Sequence, residues 1–270
     1  MTGTKPLLLT GAAGELGRWL RPRLGECCST MRCFDLRDCG PAAPGEEILI
    51  GDLADAEAVD RAVQGAMAIL HFGGITEEAP FEESLSANII GTFNIFEAAR
   101  RHGVQRIVYA SSNHATGFYR SGEKLDASMP TRPDSLYGVS KAFGEDLAKL
   151  YVDKYRLEAA CLRIGSACAE PRERRHLSTW LSLEDLLRLV LACLKAPRLG
   201  FAVVYGVSNN DRSWWDNSGA RRLGYAPRDN AERYAERILA RGDPRDPEDP
   251  AVKYQGGSFA ADRLPERQPR

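Results

Sequence analysis

The chain has 270 residues, a formal net charge of -1 at pH 7, 43% hydrophobic and 27% charged residues, the balance of a soluble globular protein with room for one sizeable core but not for two independent domains. A nucleic-acid surface is disfavoured, because the arginines alternate with acids (Arg100-Arg101, Arg172 to Arg175, Arg221-Arg222) instead of forming a basic block, and no apolar run, Leu7-Leu8-Leu9 included, reaches the length of a signal core or a membrane span. The 7 cysteines form no C-x-x-C pair, which points to reduced thiols in the cytoplasm, with Cys33 and Cys161 acting as small hydrophobes, and away from a metal centre.

Pro6 to Thr10 predicts a buried strand that runs directly into Gly11-Ala12-Ala13-Gly14-Glu15-Leu16-Gly17 and then a helical pattern through Leu24. In that order G-x-x-G-x-x-G has a mechanism: Gly11 allows a tight turn, Gly14 lets backbone amides approach a pyrophosphate, and Gly17 permits close helix packing. Thr30 to Phe34 predicts a second strand ending in Asp35, 18 residues after Gly17, where such a fold places an acid on the adenosine ribose. A carboxylate there accepts from both ribose hydroxyls and repels a 2′-phosphate, favouring NAD over NADP, while Arg32 and Arg37 pull the other way. Glu47 to Ile50 is a third strand, followed by Asp52, placed either to meet the adenine edge or to cap the next helix.

Ala68 to Leu70 is a fourth strand, leading into His71-Phe72-Gly73-Gly74, whose small residues let the chain pass close under a cofactor; His71 reads as a packed strand-end histidine. Phe81 to His102 predicts one long helix with apolar residues at Leu85, Ile89, Phe93 and Phe96, and within it Asn88 and Asn94 point to buried hydrogen bonding. Arg106 to Ala110 is a fifth strand ending in Ser111-Ser112-Asn113-His114, at the carboxyl end where open α/β sheets put their sites.

The next helix carries Tyr137 and Lys141. Four residues apart, their side chains leave the same helix face. A tyrosine titrates near pH ~10, so its use as a base at neutral pH needs a depression of about 4 kcal/mol, which a neighbouring ammonium group supplies. Glu158 to Ile164 is a sixth strand. Beyond Gly165, Ser166 to Trp180 reads as a loop, and Ser182-Leu183-Glu184-Asp185 as a capping-box start to an amphipathic helix reaching Leu194. Phe201 to Val207 looks like another sheet strand, Ser213 to Arg222 and Asn230 to Ala240 like short helices, and the proline-spaced Gly242 to Pro250 like an extended strap. The expectation is a doubly wound Rossmann-type α/β fold in a single domain (1–270), with a dinucleotide-binding core over 1–165, the sheet completed within 182–207, and a small C-terminal substrate-binding region made of 166–181 and 208–270.

The glycine turn, Asp35, Ser112 and the Tyr137/Lys141 pair, in one βα alternation, resemble the extended branch of the short-chain dehydrogenase/reductase superfamily, which shows T-G-x-x-G-x-x-G (here Thr10 to Gly17), N-x-x-G-T-x-N (Asn88 to Asn94) and Y-x-x-x-K, covering residues 5 to 165. The resemblance implies NAD as cofactor, held by Gly11, Gly14, Glu15, Leu16, Gly17, Asp35, Asp52, Leu53, Gly73, Tyr137, Lys141 and Ile164. It implies catalysis by Tyr137, Lys141 and Ser112, with Asn88 as a structural or proton-relay residue. Association into a homo-oligomer through the fourth and fifth helices also follows from it.

A narrower set of strings is similar to the bacterial uronate dehydrogenases: Ala110-Ser111-Ser112-Asn113-His114, Arg163-Ile164-Gly165-Ser166, Leu177-Ser178-Thr179-Trp180, Trp214-Trp215-Asp216-Asn217-Ser218 and Gln255-Gly256-Gly257-Ser258-Phe259. That resemblance implies a small-molecule uronic acid, D-galacturonate or D-glucuronate, oxidised at C1 to the aldarolactone. It places Thr76, Ser112, Asn113, His114, Ser166 and Arg175 on the sugar, with Phe259 closing the pocket. Thr76 stands where the pattern has serine, and Arg174 competes with Arg175 for the substrate carboxylate, which a bidentate arginine is shaped to hold. Two rival readings share the cofactor motifs. An NAD-dependent sugar epimerase or dehydratase is disfavoured by the 105 residues after Gly165, few for a nucleotide-sugar. A non-catalytic dinucleotide-binding module is disfavoured by retention of Ser112, Tyr137 and Lys141 together.

Overall fold

In the computed structural model, which describes residues 5–242 and 246–264, seven parallel strands form one sheet. They are β1 (Leu7–Thr10), β2 (Met31–Asp35), β3 (Glu46–Ile50), β4 (Ala68–His71), β5 (Arg106–Ser112), β6 (Glu158–Ile164) and, after two short strands β7 (Ser166–Ala167) and β8 (Trp180–Leu181), β9 (Phe201–Gly206). Their order is β3-β2-β1-β4-β5-β6-β9. The chain winds outward from β1 to β3, then returns to the other side of β1 with β4, so a crevice opens beyond the carboxyl ends of β1 and β4.

The strands are apolar on both faces because helices cover both. Leu7 and Leu9 point into a core shared with Leu20 and Leu24 of α1 (Glu15–Gly25) and with Leu186, Leu189, Val190 and Cys193 of α7 (Leu183–Lys195). Leu8 points the other way. It packs with Val59 and Val63 of α2 (Ala56–Val63), Ile95 and Phe96 of α4 (Gly91–His102), and Leu147 and Tyr151 of α5 (Leu136–Tyr155). Cys33 and Cys161 are fully buried in β2 and β6.

The predicted long helix is interrupted. Phe81–Ser84 is a turn of α-helix (α3), Leu85–Ile90 is π-helical, and α4 follows. The widened turn has a visible cause, since Asn88 brackets Ile75, accepting from its N–H at 2.8 Å and donating to its carbonyl at 3.0 Å, and also donates to Ser140 Oγ at 2.9 Å. Asn94 donates to the carbonyls of Leu53 and Ala54. Together the two asparagines tie this element to the loops beside the crevice.

Ser166 to Trp180, expected as a loop, instead holds β7, the short α6 (His176–Thr179) and β8, which pairs in parallel with β7. Ser182 caps α7 by accepting from Asp185 N at 3.0 Å, but the box is not reciprocal: the Asp185 carboxylate accepts from Arg228 N and Asp229 N. Farther on, only Ser218–Arg221 of the predicted Ser213 to Arg222 helix is helical (α8), and Asn230 to Ala240 resolves into a 3-10 turn, Ala231–Tyr234, before α9 (Ala235–Leu239).

The proline-spaced segment also departs from a simple strap. Residues 243–245 lie outside the described part, and Pro250 opens α10 (Pro250–Lys253) from its first position, where a missing N–H loses nothing, with Asp249 capping Ala251 N at 2.9 Å. Among the described residues no helix is long and apolar enough to cross a membrane.

Candidate active site

The crevice is a cavity of about 720 Å³. Its floor is the turn between β1 and α1. Gly11 has φ +72, and a Cβ there would stand 2.6 Å from the backbone of Phe72; a Cβ on Gly17 would stand 2.0 Å from Gly11 O. Side chains at these positions would push the turn off Phe72 and α1 off the turn, and the free amides at the start of α1 follow Gly14 beside the cavity. Asp35 ends β2 with Oδ2 accepting from Ala13 N at 2.9 Å and Oδ1 from Arg37 N at 3.0 Å, its side chain 10% exposed on the cavity wall. The cradle therefore fits a dinucleotide whose ribose meets a carboxylate. Asp52 also lines the cavity, accepting only from Ala54 N, while the cap of α2 is Asp55, which accepts from Glu57 N and Ala58 N. The capping reading of Asp52 is thus displaced by the acid three positions later.

Every other cofactor-side and substrate-side candidate from the sequence also reaches this cavity, but Asn88 stands behind its wall, with Ala87 at the surface in its place. His71 is packed as expected, bonded to Thr10 Oγ1 at 2.8 Å and Thr92 Oγ1 at 3.2 Å, and burial pushes its pKa down to about 3, so it stays neutral.

Tyr137 and Lys141 enter from the first turns of α5, which Ser135 caps by accepting from Gly138 N at 3.0 Å. Lys141 Nζ donates to Ala110 O at 2.9 Å and lies 5.5 Å from the centre of the Tyr137 ring. Burial pushes the Lys141 ammonium down to about 8. Burial also pushes the Tyr137 phenol up to about 12; a hydrogen bond with Ser112 pulls it down and the charge of Asp134 pushes it up further. The expected lowering of the tyrosine pKa by Lys141 is not what governs the phenol in the protein alone: desolvation raises it, and the lowering contribution comes from Ser112.

The rest of the cavity wall comes from the Thr76 loop, the end of β5 through His114, the stretch from Ser166 to Arg175, and Phe259. Arg175, at the start of α6, sends Nε to Gln255 O at 2.6 Å and Nη1 to Ser166 Oγ at 3.0 Å. Asn113 satisfies both ends of its amide when Nδ2 donates to Ile164 O at 3.0 Å and Oδ1 accepts from Arg175 Nη2 at 2.8 Å. All three acceptors on this guanidinium are neutral, and burial pushes its pKa below the ordinary arginine range despite the attraction of Glu173 and Asp134. With no carboxylate bonded to it among the described residues, this cation in a cavity wall can receive an anion. Arg174, its rival, is exposed and outside this cavity. Opposite, His114 stacks against Phe259 with ring centres 4.0 Å apart, and its Nδ1 lies 2.8 Å from Asp134 Oδ2. Thr76 is an exposed hydroxyl at the rim.

Three supporting residues escape a sequence reading. Glu78 reaches from the Thr76 loop to the free amides of Leu136 and Tyr137, at 3.1 and 3.3 Å, a second anionic cap on α5 from 58 residues away. Gln255 is buried, takes Trp215 Nε1–H at 2.7 Å and donates to the carbonyls of Arg120 and Glu123, so it seats the segment carrying Phe259. Asp134 holds His114. An acid next to a helix cap and an acid in an extended loop carry no periodic signal, although the Gln255-Gly256-Gly257 string did mark its neighbourhood.

A family model described as the NAD dependent epimerase/dehydratase family matches residues 7–200. The uronate dehydrogenase of Pseudomonas syringae pv. tomato is 52% identical over 256 residues, spanning 94% of this chain and 93% of its own length. Among solved structures, uronate dehydrogenase from Agrobacterium tumefaciens, in a tyrosine-to-alanine mutant complexed with NAD, superposes with a TM-score of 0.94 at 49% identity, covering 98% of this chain and 100% of that one. Glucuronic acid dehydrogenase from Chromohalobacter salexigens does so with a TM-score of 0.94 at 48% identity, covering 97% and 99%. Because likeness at this level runs through the substrate wall as well as the cofactor cradle, the chain belongs to the NAD dependent epimerase/dehydratase family and, within it, to the uronate dehydrogenases.

Proposed function

We propose that the protein oxidises C1 of a hexuronic acid, D-galacturonate or D-glucuronate, to the aldarolactone with NAD as acceptor. The observation that carries this is the meeting in one cavity of Tyr137, Ser112 and Lys141 with the unneutralised guanidinium of Arg175. Arg175 holds the substrate carboxylate through its remaining N–H groups and thereby sets which end of the sugar faces Tyr137. In the cyclic sugar C1 is a hemiacetal carbon, so loss of the hydroxyl proton and of a hydride gives the lactone directly. Tyr137 Oη takes the proton and Ser112 Oγ hydrogen-bonds the reacting oxygen. Lys141 has two donors left for ribose hydroxyls after its bond to Ala110 O. When bound, NAD accepts the hydride and brings a positive ring beside the phenol, which with Lys141 favours the phenolate. Asn88 works from behind, holding Ile75 and α5 in register through Ser140.

The same reading divides the chain into a cofactor half, 1–165 with the strand and helix within 182–207, and substrate-side segments 166–181 and 208–270. Self-association belongs to it too: Ile90 and Phe93 before and within α4 and Val139, Leu150 and Tyr155 on α5 are exposed apolar side chains, which supports a homo-oligomer joined at these helices. The unpaired cysteines support action in the cytoplasm.

The test is absorbance at the NADH band with protein, NAD and either uronate, beside galactose and glucose. Reduction with the uronates and not with the neutral sugars is expected. NAD binding without net NADH from any of them would replace this reading with an epimerase.

A further inference from the structure

Asp134 is the least explained charge at the site. Its side chain is 0% exposed, which for an ionised carboxylate requires that both oxygens be occupied. They are. Ser135 Oγ donates to Oδ1 at 2.9 Å, its own lone pair being taken by Gly138 N, and His114 Nδ1 lies 2.8 Å from Oδ2. The slot that receives Oδ2 is built by two chain segments that cross there: Gly256 N donates to Gly117 O at 2.9 Å. A Cβ on Gly117 would come within 1.8 Å of Oδ2, and one on Gly256 within 1.6 Å. Neither segment tolerates a side chain, so the carboxylate is an integral part of the wall.

Two ordinary explanations fail. Ser135 already caps α5, so Asp134 is not the cap. Its negative charge opposes ionisation of Tyr137, so it does not help the phenol. Its charge also attracts the Arg175 guanidinium without bonding to it, and the ring it does contact is the imidazole of His114. The His114 ring is packed between Phe259, tilted by 30° with centres 4.0 Å apart, and the edge of Tyr137 at 5.7 Å. The side chain is 13% exposed and lines the cavity; with Nδ1 against a buried carboxylate, Nε2 stands at the other edge of the ring and has no partner among the described residues. An ionised carboxylate only accepts hydrogen bonds, and a neutral imidazole has one N–H.

We infer that Asp134 is a positioning residue that fixes the His114 proton on Nδ1, so that Nε2 meets the sugar as a hydrogen-bond acceptor and selects a hydroxyl at that point of the ring. The specificity half of this rests on the sugar-acid reading above, while the tautomer half does not. A sugar with an ether or a deoxy carbon at that position leaves a buried acceptor unpaired, which is how a polar wall rejects a near-isostere.

The decisive variant is Asp134→Asn. Because Ser135 keeps its proton on Oδ1, the new amide nitrogen faces His114 Nδ1 and donates to it, which moves the imidazole proton to Nε2 and turns the acceptor into a donor. The shape is nearly unchanged. Two-bond proton–nitrogen spectra of protein labelled in its 4 histidines, recorded in mildly alkaline solution with His114→Gln to assign the signal, read the tautomer directly. The expected result is Nδ1–H for His114 in the parent and Nε2–H in Asp134→Asn. In the same variant KM for D-galacturonate or D-glucuronate rises by about 10-fold or more, the loss for one mismatched hydrogen bond, with KM for NAD and the thermal midpoint held. A parent His114 carrying its proton on Nε2 overturns the inference, even if the variant does not fold. A switched tautomer with unchanged uronate KM overturns its specificity half. Failure of the uronate reading itself would show as absent turnover with the tautomers as expected.

Discussion

Removing the Arg175 guanidinium should separate acid sugars from neutral ones. Three of its five N–H groups are committed to Gln255 O, Ser166 Oγ and Asn113 Oδ1, leaving two for a ligand. Losing a charged partner from a desolvated ion pair costs about 2–5 kcal/mol. Taking about 3 kcal/mol, Arg175→Ala should lower kcat/KM for galacturonate or glucuronate by on the order of 100-fold. Arg175→Lys keeps the charge but not the fork, and should lose roughly 10-fold. The assay is initial rates of NADH formation for each uronate and, at high concentration, for galactose, which has the ring but no carboxylate. Since Arg175 also braces Ser166 and Gln255, a common structural loss would lower both sugars together. The quantity of interest is therefore the ratio between them, read with KM for NAD and the thermal midpoint. An equal fall for galactose and the uronates, or a uronate loss within about 3-fold, would refute the assignment of a carboxylate clamp.

Tyr137→Phe should lose roughly 100-fold to 10,000-fold in kcat, the range for removing a general base, while a fluorescence titration shows NAD affinity within a few-fold; full turnover would end the proton-transfer role. Lys141 gives a stability prediction with a definite sign. Its folded pKa is about 8 against 10.5, so above pH 8 the unfolded chain binds the extra proton, and the burial penalty, present in full below pH 8, is relieved as pH rises to 10.5. Cofactor-free Lys141→Met should accordingly be more stable than the parent at neutral pH by at most about 3 kcal/mol, with the gap closing toward pH 10.5; denaturant titrations showing a gap that widens with pH would contradict this. Asp35→Ala removes the carboxylate at the end of β2 in the cavity wall and frees Arg37, 3.8 Å away, to meet a 2′-phosphate if the ribose binds there. The NADP to NAD ratio of kcat/KM should then rise by at least about 10-fold, and an unchanged ratio would show that Asp35 does not select the cofactor.

Where local pattern and tertiary role coincide, this chain is legible. Leu7 to Thr10 running into glycines states its own geometry, Asp35 follows from the length of one βα unit, and Tyr137 with Lys141 follows from helical spacing. Legibility fails where a role depends on what arrives from elsewhere. Asp52 and Asp55 both precede α2, and only the backbone path decides which one caps it. The strands β7 and β8 have two residues each, too few for any period to show. The π-helical turn at Leu85–Ile90 depends on Asn88 meeting Ile75, a contact between a helix and a loop that hydrophobic spacing does not encode. Tyr137 shows the limit most sharply, since the sequence supplies the lysine partner but not the desolvation that raises the phenol.

The segment from Tyr254 to Phe259 has a bearing on how the molecule comes into being. During synthesis the cradle of Gly11 to Asp35 and the helix of Tyr137 and Lys141 leave the ribosome well before Gln255 and Phe259, and a single domain folds as a unit. Until the last segment docks, Arg175 lacks its brace at Gln255 O and His114 its cover from Phe259. The last residues to be made therefore finish the part of the cavity wall that Arg175 and His114 form, and a molecule clipped or undocked there loses the support of both side chains.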